Sequence, residues 1–111
     1  MTWLDRIKSA LGGQPDDLPE HAMLIDVRSP MEFQGGHVDG AFNLPLETVG
    51  SRIEQMVPDK ATPIIMYCQA GGRSAMACAI LQQLGYNCVA NGGGVGGLAL
   101  RLQRAIRQGG S

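Results

Sequence analysis

Long apolar runs are missing from this 111-residue chain. No stretch approaches the roughly 20 residues that a membrane-spanning helix needs. Charge is scarce too: Asp, Glu, Lys and Arg make up 17% of the residues, and the formal net charge is −1. Such a balance gives no basic footprint for nucleic acid. Cysteine is sparse and odd in number, with three residues at 68, 78 and 88. No Cys-x-x-Cys pair occurs, so neither a zinc site nor a disulfide framework is indicated. A reducing compartment is the natural setting. His, Cys, Asp and Glu nowhere cluster at metal-ligand spacing, and no phosphate-binding glycine motif precedes Lys-Ser or Lys-Thr. Met1 to Lys8 lacks a continuous apolar core and carries Asp5, unlike a secretory signal. These absences lead to the expectation of a cytoplasmic protein with no membrane span, no nucleic-acid partner, no metal and no cofactor.

What the chain does have is 44% hydrophobic residues, ordinary for one soluble domain of this length. It also has 16 glycines, gathered at Gly35-Gly36, Gly71-Gly72, Gly92-Gly93-Gly94 and Gly96-Gly97. They read as turns and close backbone approaches. Thr2 to Leu11 is expected to be helical, with Trp3, Leu4, Ile7 and Leu11 on one face. Gly12 to Asp17 then breaks the chain. The expected organisation is a helix and linker over 1–18, one domain over 19–108 and a flexible tail over 109–111.

Within the domain, Ala22 to Val27 reads as a strand. Ser29 is placed to cap a short helix with Pro30 first and Glu32 in its first turn. Gly35-Gly36 stops it. Gly40 to Pro45 is extended, and a helix runs from about Leu46 to Val57. Thr62 to Tyr67 is a buried strand, followed by a helix from Ser74 to Leu84. Gly85 is a left-handed stop, with Tyr86 folding back. Asn87 to Ala90 is another strand. A last helix is expected from Leu98 to about Arg107, with Leu98, Leu102, Ala105 and Ile106 on one side. Strands alternating with helices mean an α/β fold, with a mostly parallel sheet and helices on both faces.

Ligands of such sheets bind beyond the C-terminal ends of strands. Cys68 lies at one such end, before a glycine-containing loop and a helix N-terminus. Unpaired N–H groups and the positive end of the helix dipole favour an anion there. Together with the charge of Arg73 they are expected to lower the thiol pKa, and the thiolate is the nucleophile. A glycine-rich loop is a poor place to bury a side chain, so Cys68 is expected to be the reactive cysteine. Cys78 and Cys88 read as inert small hydrophobes.

The chain resembles rhodanese homology domains. The resemblance rests on Leu24-Ile25-Asp26-Val27-Arg28, on Glu32-Phe33, on Gly36-His37-Val38-Asp39-Gly40-Ala41-Phe42-Asn43-Leu44-Pro45, on the Cys68 loop and on Gly93-Gly94. It spans about Pro19 to Arg107, and is nearest to single-domain thiosulfate sulfurtransferases of the phage shock protein E type. A tryptophan common after the Gly-Gly turn is absent; Leu98 stands in that region. The resemblance implies a sandwich around a five-stranded parallel sheet. It also implies a Cys68 that carries sulfane sulfur as a persulfide between thiosulfate or a persulfide donor and a thiol or cyanide acceptor. A protein acceptor such as thioredoxin is compatible with it.

The loop N–H groups of Gln69, Ala70, Gly71, Gly72, Arg73 and Ser74 are expected to converge on the sulfur as a nest, with both glycines permitting the curl. Arg73 is expected to hold the sulfonate of thiosulfate. His37, Asp26 and Arg28 read as scaffold, the last two pairing with loop backbone or Glu32.

Two other readings remain. A phosphatase or arsenate reductase would use a related loop, but with a longer spacing between Cys and Arg. Here four residues separate Cys68 from Arg73, a small ring suited to one sulfur atom. A non-catalytic binding module of the same fold is the other reading, though such modules commonly lack the cysteine.

Overall fold

A computed structural model describes residues 17–110. The expected helix at Thr2–Leu11 and nearly all of its linker lie outside the described residues. The described elements run β1 (Met23–Asp26), α1 (Pro30–Gly35), β2 (His37–Val38), β3 (Phe42–Asn43), α2 (Leu46–Met56), β4 (Ile64–Cys68), α3 (Gly72–Gln83), β5 (Val89–Gly94), α4 (Val95–Leu102) and β6 (Ile106–Arg107). Four strands form a parallel sheet in the order β3-β1-β4-β5. Among the described residues this parallel sheet has four strands, against the five that the resemblance implied. The two-residue segments β2 and β6 pair antiparallel with each other instead of joining it.

The side-chain alternation of a strand decides which helices cover which face. Along β4, Ile64, Met66 and Cys68 point into a core shared with α2 and α3, through Val49, Ile53, Ala77 and Leu81. Ile65 and Tyr67 point the other way, toward Phe33, Val38, Leu98 and Ala99. All five β4 residues are buried, as a strand covered on both faces requires. Period two therefore aims Cys68 at the face where α3 begins.

Local signals explain most boundaries. Ser29 and Glu32 form the complete capping box at the start of α1, with Pro30 at its first position. At the end of α3, Gly85 takes φ +98°. The Tyr86 N–H then reaches back to the Leu81 carbonyl at 3.0 Å, closing the helix as anticipated.

Two helices differ from expectation. The helix after Cys68 begins at Gly72, not Ser74, because Gly71 in left-handed geometry already serves as its N-cap. The last helix starts at Val95 and stops at Leu102, well short of Arg107. Gln103 adopts φ +54° and ends it, and Ile106–Arg107 pairs with His37–Val38.

Candidate active site

Cys68 ends the central strand of the sheet, flanked by β1 and β5. Its sulfur lies under the first turn of α3. The Gly71 N–H donates to Cys68 Sγ at 2.9 Å, and Ser74 Oγ lies 3.4 Å from the same sulfur. Burial pushes the thiol pKa up. The Ser74 hydroxyl and the N–H groups of Ser74, Ala70 and Gly71 push it down and prevail, so Cys68 titrates below its ordinary value. Arg73 acts on the sulfur only through its charge.

Several expectations are corrected here. The loop does hide the sulfur: Cys68 is 1% exposed, because strand alternation turns it into the α3-side core. Of the six expected N–H donors, those of Gly71, Ala70 and Ser74 act on the sulfur, with Gly71 at 2.9 Å. Gly71 needs its glycine, with φ +103° and the Gly93 backbone 3.5 Å from where a Cβ would stand. Gly72 does not, being an exposed first-turn residue with open space around it. Gln69 and Ala70 are exposed.

Arg73 is paired with a carboxylate. Its guanidinium makes a bidentate pair with Glu32, at 2.7 and 2.9 Å. That pair, with the Ser29 N–H, holds the Glu32 carboxyl at about 2. Arg28 is engaged as well. Both it and Asp26 are buried, joined through Arg28 Nε and Nη2 at 2.7 to 3.1 Å. Arg28 also donates to the Gly36 carbonyl at 2.6 Å and to Gln69 Oε1 at 3.1 Å. So Asp26 and Arg28 are scaffold, as expected, but they pair with each other. Their contacts tie β1, the end of α1 and the Cys68 loop together. His37 is packed too, stacked on Phe33 with centroids 3.7 Å apart and Nδ1 2.7 Å from the Phe33 carbonyl.

Asn91 was missed by sequence reasoning. Its Oδ1 accepts from the Ser74 hydroxyl at 2.7 Å and from the Gly93 N–H at 2.9 Å. Its amide donates to the Gly71 carbonyl at 3.1 Å. Asn91 therefore holds both groups that touch the sulfur. A register shift puts it there: Met66 pairs with Asn91, but Tyr67 pairs with Gly93. Gly94 then lies against the loop, where a Cβ would sit 2.6 Å from the Gln69 carbonyl oxygen. The sequence clue was a polar residue entering a glycine run, which reads equally well as an ordinary turn.

A cavity of about 450 Å³ adjoins the loop, lined by Arg28, Glu32, Gln69, Val95, Gly96 and Ile106 among others. A larger one of about 840 Å³ lies between α1, β3 and the C-terminal segment, away from the cysteine loop. Among the described residues no group of His, Cys, Asp and Glu could hold a metal, and no helix is long and apolar enough to cross a membrane.

The family model of the rhodanese-like domain matches residues 6–98. The chain belongs to the rhodanese-like domain family. The match begins upstream of residue 19, inside the segment expected to be helix and linker. The chain is 46% identical over 76 residues to the thiosulfate sulfurtransferase PspE of Escherichia coli, covering 68% of this chain and 73% of that protein. Among solved structures, an E. coli rhodanese determined with anions superposes with a TM-score of 0.73 at 41% identity, covering 79% of this chain and 99% of that one. A human single-domain sulfurtransferase superposes at 0.59 with 26% identity, covering 84% and 86%.

Proposed function

We propose that this rhodanese-like protein is a sulfurtransferase whose Cys68 carries the sulfur. The observation that carries this reading is the Cys68 sulfur itself. It is lowered in pKa and seated on the Gly71 N–H beneath a helix N-terminus, in a chain whose relatives are named sulfurtransferases. The Cys68 thiolate attacks the sulfane sulfur of thiosulfate. A new S–S bond forms, the old one breaks, and sulfite leaves with the electron pair. The product is a Cys68 persulfide anion. A nucleophilic acceptor, cyanide or a thiolate, then takes the outer sulfur and returns the Cys68 thiolate. No oxidant or reductant is consumed.

The site supports each part of this. Donors at the helix N-terminus stabilise negative charge on the sulfur before and after it is loaded. Ser74 supplies a hydroxyl whose one proton is shared between Asn91 Oδ1 and the sulfur. Gln69, Ala70, Gly72 and Arg73 form the remainder of the donor-facing loop. Burial of the sulfur restricts the donor to a slim terminal sulfur atom. The phosphatase reading is not favoured. An oxyanion cradle needs its arginine on the oxyanion, and Arg73 is instead spread over Glu32.

A donor-by-acceptor screen on the purified protein tests the proposal. Thiosulfate with cyanide should yield thiocyanate and sulfite in equal amounts, and Cys68→Ser should yield neither. Turnover surviving in Cys68→Ser would remove the mechanism. Hydrolysis of an aryl phosphate without sulfur transfer would favour the phosphatase.

A further inference from the structure

Asn91 stands in β5, and the strand is bent to place it. Met66 pairs with Asn91 and Tyr67 with Gly93, so Gly92 is the extra residue of a bulge. A larger residue does not fit at 92: a Cβ there would stand 2.8 Å from the Ile65 side chain and 2.9 Å from that of Leu98. Neighbours in register share a face of the sheet. Asn91 therefore faces the α3 side with Met66, and its amide reaches the start of α3.

That amide is fixed from both ends. Oδ1 accepts from the Gly93 N–H at 2.9 Å, and Nδ2 donates to the Gly71 carbonyl at 3.1 Å. A turned amide would set oxygen against oxygen at Gly71 and N–H against N–H at Gly93. Oδ1 is thus a settled acceptor for the Ser74 hydroxyl, 2.7 Å away.

Ser74 has one proton and three acceptors around it: Asn91 Oδ1 at 2.7 Å, the Gly71 carbonyl at 3.1 Å and Cys68 Sγ at 3.4 Å. The charge on the sulfur decides among them. A thiolate draws the proton, because a hydrogen bond to an ionised group is about twice as strong as a neutral one. Protonation of Cys68, or bonding of its sulfur to a sulfane sulfur, removes that charge from Sγ. The proton then returns to the nearer oxygen of Asn91. The Ser74 oxygen stays in place in every state, and only its O–H bond turns. An oxygen held before the charge appears costs little reorganisation when it does.

We propose that Asn91 is a positioning residue for sulfur transfer. It keeps the Ser74 hydroxyl and the Gly71 peptide seated on the sulfur, and it accepts the Ser74 proton whenever Sγ carries no charge. This rests on the sulfur-transfer reading. Asn91 neither gains nor loses a proton in the cycle, and the bonds made and broken at sulfur are those of that reading.

The test is the coupling between Asn91 and Ser74. Sulfur loading from thiosulfate and alkylation of Cys68 are both followed against pH by quenched peptide mass spectrometry. Wild type is compared with Ser74→Ala, Asn91→Ala and the double variant. Arg73, whose charge also acts on the sulfur, is unchanged in all of them. Asn91→Ala should slow loading about three- to tenfold, the scale of one hydrogen bond, and raise the alkylation midpoint. Ser74→Ala should slow loading by a similar factor in the wild-type background, but by less than about twofold once Asn91 is gone. A side chain that only supported the fold would leave the Ser74 effect the same in both backgrounds. If Asn91→Ala loses its fold, Asn91→Asp keeps the shape and Oδ1. It should uncouple Ser74 in the same way, because a carboxylate holds the proton that an amide releases. Equal Ser74 effects in the two backgrounds, a midpoint that falls in Asn91→Ala, or unchanged loading there would overturn the role of Asn91 and leave sulfur transfer standing. No loading of the wild-type protein by thiosulfate would overturn both.

Discussion

At the scale of single residues, the sulfur is controlled by Ser74 and Gly71. Ser74 lowers the Cys68 pKa through its hydroxyl and its N–H. Ser74→Ala keeps the N–H and removes the hydroxyl, so the pKa should rise toward the free-thiol value of about 8.5. Alkylation rate against pH, on a background without Cys78 and Cys88, checks this; an unmoved midpoint would count against it. The two loop glycines should separate cleanly. Gly71→Ala forces a side chain into left-handed geometry, at about 1–2 kcal/mol, and should slow sulfur uptake. Gly72→Ala should lie within about 0.5 kcal/mol of wild type and keep its activity. Thermal unfolding and loading rates of the two variants decide whether one glycine or both shape the loop. The sequence made Cys68 stand out because strand, glycine and helix signals are local. It could not show the partners of the loop, because they come from elsewhere in the chain. Glu32 lies 41 residues from Arg73, and Asn91 lies 17 from Ser74.

At the scale of elements, the helix α1 does two jobs with one carboxylate. Glu32 caps the helix and holds Arg73, and its pKa falls from an ordinary 4.5 to about 2. A carboxyl depressed in the folded state contributes stability above its unfolded pKa and loses it as pH falls through the folded value. The contribution of Glu32 should thus be complete above about pH 4.5 and gone near pH 2. Wild type should be the more stable protein against Glu32→Gln at pH 7, and that advantage should shrink steadily below pH 4.5. Urea unfolding of both at several pH values measures it; an advantage that persists at low pH would mean that charge is not its source. Capping and stop signals were legible in the sequence at α1 and after α3. The end of α4 was not. Leu98, Leu102 and Ile106 keep helical spacing, yet Ile106 is used in a strand, because β2 offers a pairing partner 68 positions upstream that no local pattern reveals. The mostly parallel sheet was legible as a class of fold, while the pairing of those two short segments with each other was not.

At the scale of the molecule, parallel strands place Cys68 in mid-sheet, and the Asp26–Arg28 pair locks the neighbouring strand, α1 and the loop into one unit. Arg28→Ala would leave the Asp26 side chain fully buried without its partner. A loss of about 3–5 kcal/mol is expected for such a change, a large share of the stability of a small domain. Chemical denaturation tests it, and a loss under about 1 kcal/mol would show that the pair is not the tie it looks to be. Everything else in the functional account depends on the sulfur that this frame presents. The direct measurement is the intact mass of the protein after incubation with thiosulfate and removal of the donor. Wild type should gain the mass of one sulfur atom, lose it on treatment with a thiol reductant or cyanide, and show the gain in the peptide containing Cys68. The Cys68→Ser variant should gain nothing. A gain located on Cys78 or Cys88, or equal gains in wild type and Cys68→Ser, would contradict the assignment of sulfur transfer to Cys68.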